Sequence, residues 1–176
     1  IALAAVGGYG RGELSPGSDL DIVFLHSGKV SAVDLKAFVN EVLYPLWDKK
    51  SVDHSVRTRG ETRDAASSDL RVATGLLDIR LIAGNPDLVA VVQLDALDLW
   101  RKNAKENLAS LQKSLQERHA RAGELAYLLE PDLKEARGGL RDIQALRAIS
   151  LSTAIAVPLE KISWAEGTLN NVRESL

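Results

Sequence analysis

Five glycines crowd the stretch VGGYGRGELSPGSDLDIVFLH, Val6 to His26, and two aspartates one residue apart follow them at the head of an apolar run. In regular structure each glycine forgoes about 0.5–1 kcal/mol relative to alanine, so such a cluster demands special backbone geometry or the close approach of another group. Three readings compete: a phosphate cradle, a metal site, or a turn that only joins two strands. Gly7-x4-Gly12 is followed by Glu13 where a Walker loop needs lysine, and no G-x-G-x-x-G passes through Gly7, Gly8, Gly10 and Gly12. The P-loop and dinucleotide-binding readings therefore drop out.

The flanking segments read as strands. Ile1–Val6 is a short apolar run closed by Gly7 and Gly8, as a buried strand entering a turn would be. Leu20–Leu25 is apolar on both faces, the pattern of a central strand. Val52–Thr58 alternates, with Asp53, Ser55 and Arg57 opposite Val52, His54 and Val56, and predicts a third strand in which His54 is a hydrogen-bonded core residue. Between them Ser31–Trp47 predicts a helix that starts with the S-x-x-D of Ser31 and Asp34 and is kinked by Pro45.

Beyond the third strand the apolar period is helical from Leu70 to Ala83, with Gly84 as its end and Asn85-Pro86 as a break. Leu94, Leu97, Ala104, Leu108, Leu111 and Leu115 predict one long helix closed by Gly123, and the remainder is helical except for a polar knot at Glu130–Gly139. Strands early and helices late predict an α+β fold: a small mixed β-sheet palm with flanking helices over residues 1–85, then an all-helical appendage over 86–176.

Composition narrows the functions. With 22 basic and 24 acidic residues the net charge is −2, so no chain-wide footprint for polyanions exists and nucleic acid is an unsuitable partner, although a local basic pocket for one nucleotide is allowed. Cysteine is absent, which removes disulfides, thiolate ligands and a cysteine nucleophile. No apolar run nears the roughly 20 residues of a membrane helix and no signal peptide is present, so the expectation is a cytoplasmic protein without membrane contact. A start at Ile1 in mid-strand and the lack of methionine mark the chain as a piece of a longer protein.

Alternation sets Asp19 and Asp21 on one face at the opening of the second strand. Two carboxylates that close repel, and ionising both requires a cation; hard oxygen ligands select Mg²⁺ or Mn²⁺. Bare amides at Gly7-Gly8 can point at phosphate oxygens that a side chain would block. Together they suit in-line displacement on a nucleoside triphosphate, where two metals about 3.5–4 Å apart stabilise the entering and leaving oxygens. A lone D-x-D also occurs at strand ends, where aspartate only caps and turns. The order strand, Gly-Gly, gap, D-x-D, strand favours the metal.

GGYGRGELSPGSDLDIVFLH resembles the nucleotidyltransferase core of the polymerase-β-like superfamily, and within it the bacterial PII-protein uridylyltransferases. HSVRT at His54–Thr58, TGLLDIRLIAG at Thr74–Gly84 and EPDLKEARGGLRDIQ at Glu130–Gln144 extend the match in the family's order. The resemblance implies that Asp19 and Asp21 are catalytic and bind Mg²⁺, and that Gly7 and Gly8 face the triphosphate of UTP or ATP. It further implies passage of a nucleoside monophosphate, UMP first, to a tyrosine of the PII signalling protein, with release of pyrophosphate. Arg11, Ser18 and Arg57 are the nucleotide-binding candidates beside the pocket, and Lys134, Arg137 and Arg141 could reach phosphates or the acceptor. The family's third carboxylate falls at Ser55, where Asp53 on the same face could substitute as a metal ligand; Asp78, on its expected helix, would pair with an arginine. Ala136-Arg137-Gly138-Gly139 stands where G-P-G-G is usual and is close to glutamine synthetase adenylyltransferases. Adenylyl transfer to PII or to glutamine synthetase is therefore an alternative, and a non-catalytic nucleotide- or protein-binding module on the same palm is another.

Overall fold

The computed structural model describes residues 1–15, 17–127, 129 and 132–175. Two units separate, Ile1–Leu99 and Trp100–Leu176.

In the first unit, β1 (Ala2–Ala5), β2 (Leu20–His26), β3 (Val52–Thr58) and β4 (Arg80–Gly84) form one mixed sheet in the order β3-β2-β1-β4. The antiparallel β1–β2 ladder pairs Ala2 with Leu25 and Ala5 with Ile22; the parallel β2–β3 ladder runs from Leu20–Val52 to His26–Thr58. A parallel pair needs a long crossover, which α2 (Ala32–Trp47) supplies. Ser31 caps that helix by accepting from the Asp34 amide at 3.1 Å, as the sequence predicts, and the helix runs through Pro45. Its Val39 and Leu43 close over Ile22 and Phe24 of β2, with Leu3, Val52 and Val56 alongside. The opposite face of β2, Val23 and Leu25, is equally buried, so β2 is the central strand its composition predicted.

Two expectations fail in this unit. The helix expected over Leu70–Ala83 is only half a helix: α4 (Leu70–Leu76) stops, and Arg80–Gly84 pairs antiparallel with β1 as β4. An unpaired β1 edge outweighs local helical spacing. Gly84 is then no helix cap but a point of close approach at φ +92°, where a Cβ would sit 2.5 Å from the Ile1 carbonyl oxygen. His54 is exposed rather than in the core, with its ring 6.2 Å from Trp47, because β3 is the sheet's edge strand. Sequence reading also passed over α3 (Arg59–Ser68), although Thr58-x-x-Glu61 is a full capping box with the Thr58 amide donating to Glu61 at 2.7 Å.

The single helix expected from Leu94 to Gly123 is interrupted at Asn103, giving α5 (Pro86–Lys102) and α6 (Ala104–Ala122). The buried residues of α5 up to Ala96 belong to the first unit, beside Leu76 and Ala66. The second unit holds α6, α7 (Leu140–Leu151) and α8 (Ser163–Ser175); Leu111, Leu140, Ile143 and Ala148 are buried in it, and the buried Trp100 donates its indole N–H to the Ala148 carbonyl at 2.8 Å. Among the described residues no helix is long and apolar enough to cross a membrane.

Candidate active site

The Gly7-Gly8 corner is not a plain turn. The chain passes from β1 directly into a five-residue helix, α1 (Gly7–Arg11), and the Val6 amide donates to the Asp21 carbonyl at 3.0 Å, which extends the β1–β2 ladder by one step. Gly7 opens the helix at φ +55°, and a Cβ there would lie 3.5 Å from Asp21 Oδ2. Backbone thus faces the Asp21 carboxylate with no side chain between, and both Gly7 and Gly8 are partly open to solvent.

Asp21 and Asp53 are direct partners in the parallel register, so their side chains leave the same face of neighbouring strands. Asp53 and Asp19 are exposed and Asp21 is half-buried. Ser55, where the family pattern would supply a carboxylate, partners Val23 two residues farther on. Ser18 accepts from the Ser15 amide at 3.0 Å and closes the turn that delivers Asp19 to β2. Among the described residues no three Asp, Glu or His side chains converge into a ready-made metal cluster.

The basic candidates divide. Arg11 stands at the end of α1, only 11% exposed, where its Nε donates to Glu13 at 2.7 Å and its Nη1 to Asp78. Asp78 is therefore paired with an arginine as expected, but from the turn before β4 and not from a helix. Arg57 partners Leu25 in register, four residues along the strand from Asp53 and so about 13 Å away from it. It is not brought to the acid pair.

Three residues that sequence reading did not assign to the site support it. Gly10 packs against the turn before β4 so tightly that a Cβ would sit 2.0 Å from the Asp78 carbonyl oxygen. Arg80 donates to the carbonyls of Gly10 and Tyr9, each at 2.9 Å, and lies 5.5 Å from the Tyr9 ring centroid. Glu13 completes the set through Arg11. A signal existed in the R-G-E of Arg11–Glu13, but its partners are some 67 residues away in sequence.

Lys134, Arg137 and Arg141 belong to the second unit and are exposed. Arg141 donates to Glu135 at 3.2 Å, and Gly138-Gly139 makes the tight turn before α7 that the sequence allowed: a Cβ on Gly139 would meet the Leu133 carbonyl oxygen at 2.7 Å. Glu130 and Pro131 of the same motif lie outside the described residues. Asp142 accepts from the buried Arg118, from the Gly138 amide at 2.7 Å, and lies 2.8 Å from His119 Nε2. Burial pushes its carboxyl up, and the Gly138 amide, His119 and Arg118 outweigh that, leaving it below the usual aspartate range.

Known proteins resemble this chain in sequence. The nucleotidyltransferase domain family matches residues 1–79, and the family described as GlnD PII-uridylyltransferase matches residues 106–168. A bifunctional uridylyltransferase/uridylyl-removing enzyme of Streptomyces coelicolor is 48% identical over 177 residues, covering all of this chain. The chain belongs to the GlnD uridylyltransferase family. Enzymes of the same name from Mycobacterium tuberculosis and Vibrio parahaemolyticus are 39% and 43% identical over 100% and 83% of the chain. This GlnD-family chain spans about a fifth of these relatives' length, 21%, 23% and 17% respectively. Its glycine corner and D-x-D strand lie inside the nucleotidyltransferase match, and its Gly138-Gly139 turn inside the uridylyltransferase match.

Proposed function

We propose that this chain carries the nucleotide-transfer centre of a GlnD-type enzyme, moving UMP from UTP to a tyrosine hydroxyl of the PII signalling protein and releasing pyrophosphate. The observation that supports it most is the bare Gly7 backbone beside Asp21 Oδ2. A side chain at that position would occupy the space a triphosphate oxygen needs.

The donor set fits Mg²⁺. Asp21 and Asp53 are adjacent hard-oxygen donors with Asp19 two residues from Asp21. Mg²⁺ is ordinarily held by one or two carboxylates with substrate phosphates and water filling the remaining positions, so a closed protein cage is not required. Bound there, the ion would neutralise charge on the α-phosphate and the departing pyrophosphate.

The protein's own part is positioning. Gly7 and Gly8 admit the triphosphate to the backbone of α1, while Asp19 and Asp21 fix the cation against it. The tyrosine oxygen forms the new P–O bond as the bond to pyrophosphate breaks in line. A phenol with pKa about 10 must shed its proton during attack, and Asp53 is the exposed carboxylate at hand to accept it. Asp19→Asn and Asp21→Asn in the full-length enzyme should lower transfer from labelled UTP to PII on the order of 100-fold or more, with circular dichroism unchanged. Wild-type rates in both would end this reading, and label entering from ATP instead would reassign the donor.

A further inference from the structure

The strand that sequence reading took for a helix holds the other side of the glycine corner. β4 and the turn before it contact α1 through three separate devices. Arg80 bonds the Tyr9 and Gly10 carbonyls at the end of the helix, where the Gly12 amide also donates to Tyr9 at 3.1 Å. Asp78 engages the Arg11 guanidinium, which Glu13 grips from the second side. The Asp78 carbonyl sits where only a glycine at position 10 leaves room. What these residues grip is the helix whose first residue is Gly7.

We propose that Asp78 and Arg80 are positioning residues of the transfer site, a latch from β4 that sets the α1 backbone at the height where Gly7 and Gly8 meet the triphosphate. The role rests on the nucleotide reading above. Its logic is mechanical. α1 is five residues long, far too short to hold its own geometry, and three of those five residues are glycines. Left to itself the segment would sample many backbone states, and the phosphate would be met by an average of them. Two guanidinium groups bound at the far end of α1 remove that freedom. Arg11 serves the site through the helix, its Nε held by Glu13 and its Nη1 by Asp78.

The test compares full-length wild-type enzyme with D78N, R80Q and R80K, using R59Q as a control; Arg59 bridges Asp95 at 2.6 Å in the same unit and touches nothing in the corner. Transfer from UTP to PII is measured with Mg²⁺, together with deuterium exchange at the Gly10, Gly12 and Glu13 amides, which bond within and just after α1. D78N and R80Q should lose about tenfold or more in kcat/KM for UTP while KM for PII stays within about twofold, the scale expected when a support of a ligand-holding group is removed. The three amides should exchange faster while β2 amides do not, melting should fall no further than in R59Q, and R80K, able to hold one of the two carbonyls, should recover part of the loss. The latch is overturned if R80Q and D78N match R59Q in kcat/KM for UTP, or if α1 exchange is unchanged. Should R80Q not fold, R80K decides by the same criteria. D21N separates the two levels: an inactive D21N beside a fully active R80Q removes the latch alone, whereas a fully active D21N removes the transfer site and the latch with it.

Discussion

Gly7 and Gly10 show how residue-level geometry divides stability from function. Gly10 meets backbone: a Cβ would stand 2.0 Å from the Asp78 carbonyl oxygen, a contact that flexible side chains cannot relieve. Gly7 meets only the tip of Asp21, at an ordinary 3.5 Å, but at φ +55°. Gly10→Ala should therefore destabilise the first unit by about 1–3 kcal/mol through overpacking, seen as a lowered urea midpoint. Gly7→Ala should cost about 1–2 kcal/mol in left-handed strain and, in the full-length enzyme, remove a larger share of transfer activity than Gly10→Ala does at a temperature where both are folded. The D-x-D pair and the Gly7 corner were legible because their whole signal lies within Gly7–Asp21. Arg80 was not, because its meaning depends on a strand pairing made some 70 residues away.

Among the elements, β2 and α2 were legible from their own residues, whereas α3 was missed despite its Thr58-x-x-Glu61 capping box. β2 announces itself by being apolar on both faces, and α2 by its Ser31 cap. β4 fails that test: an edge strand with a single half-buried residue, Leu81, carries little pattern, and only the open edge of β1 tells it from a helix. α1 is masked by glycines, poor helix formers that hold their place through Gly10 packing and Arg80. The Asn103 break is one residue in an otherwise continuous amphipathic pattern. The turn into α7 offers a prediction at this scale. Asp142 titrates below the usual range when folded, so it contributes stability that is present above its unfolded value of about 3.9 and lost as pH falls through the lower folded value. Melting of wild type should drop below about pH 4 more steeply than that of Asp142→Asn. At pH 7 the substitution should cost about 3 kcal/mol, since it strips the buried Arg118 of its charged partner. Parallel melting curves of the two proteins between pH 3 and 5 would contradict this.

For the molecule as a whole, the early strands and late helices were visible from composition and period alone, and they became a four-stranded mixed sheet with helices and a separate helical unit. The family follows from two matched segments that together take in both units. What joins sequence, fold and chemistry is the claim that Asp19 and Asp21 at the head of β2 and the backbone of α1 hold a metal-bound nucleotide between them. Calorimetric titration of the full-length enzyme with a nonhydrolysable UTP analogue, with Mg²⁺ and with EDTA, in wild type and Asp21→Asn, tests that claim most directly. Wild type should bind about tenfold or more tightly with Mg²⁺ than without, and Asp21→Asn should show no such gain. Equal affinity with and without the ion in wild type, or an undiminished Mg²⁺ gain in Asp21→Asn, would contradict it.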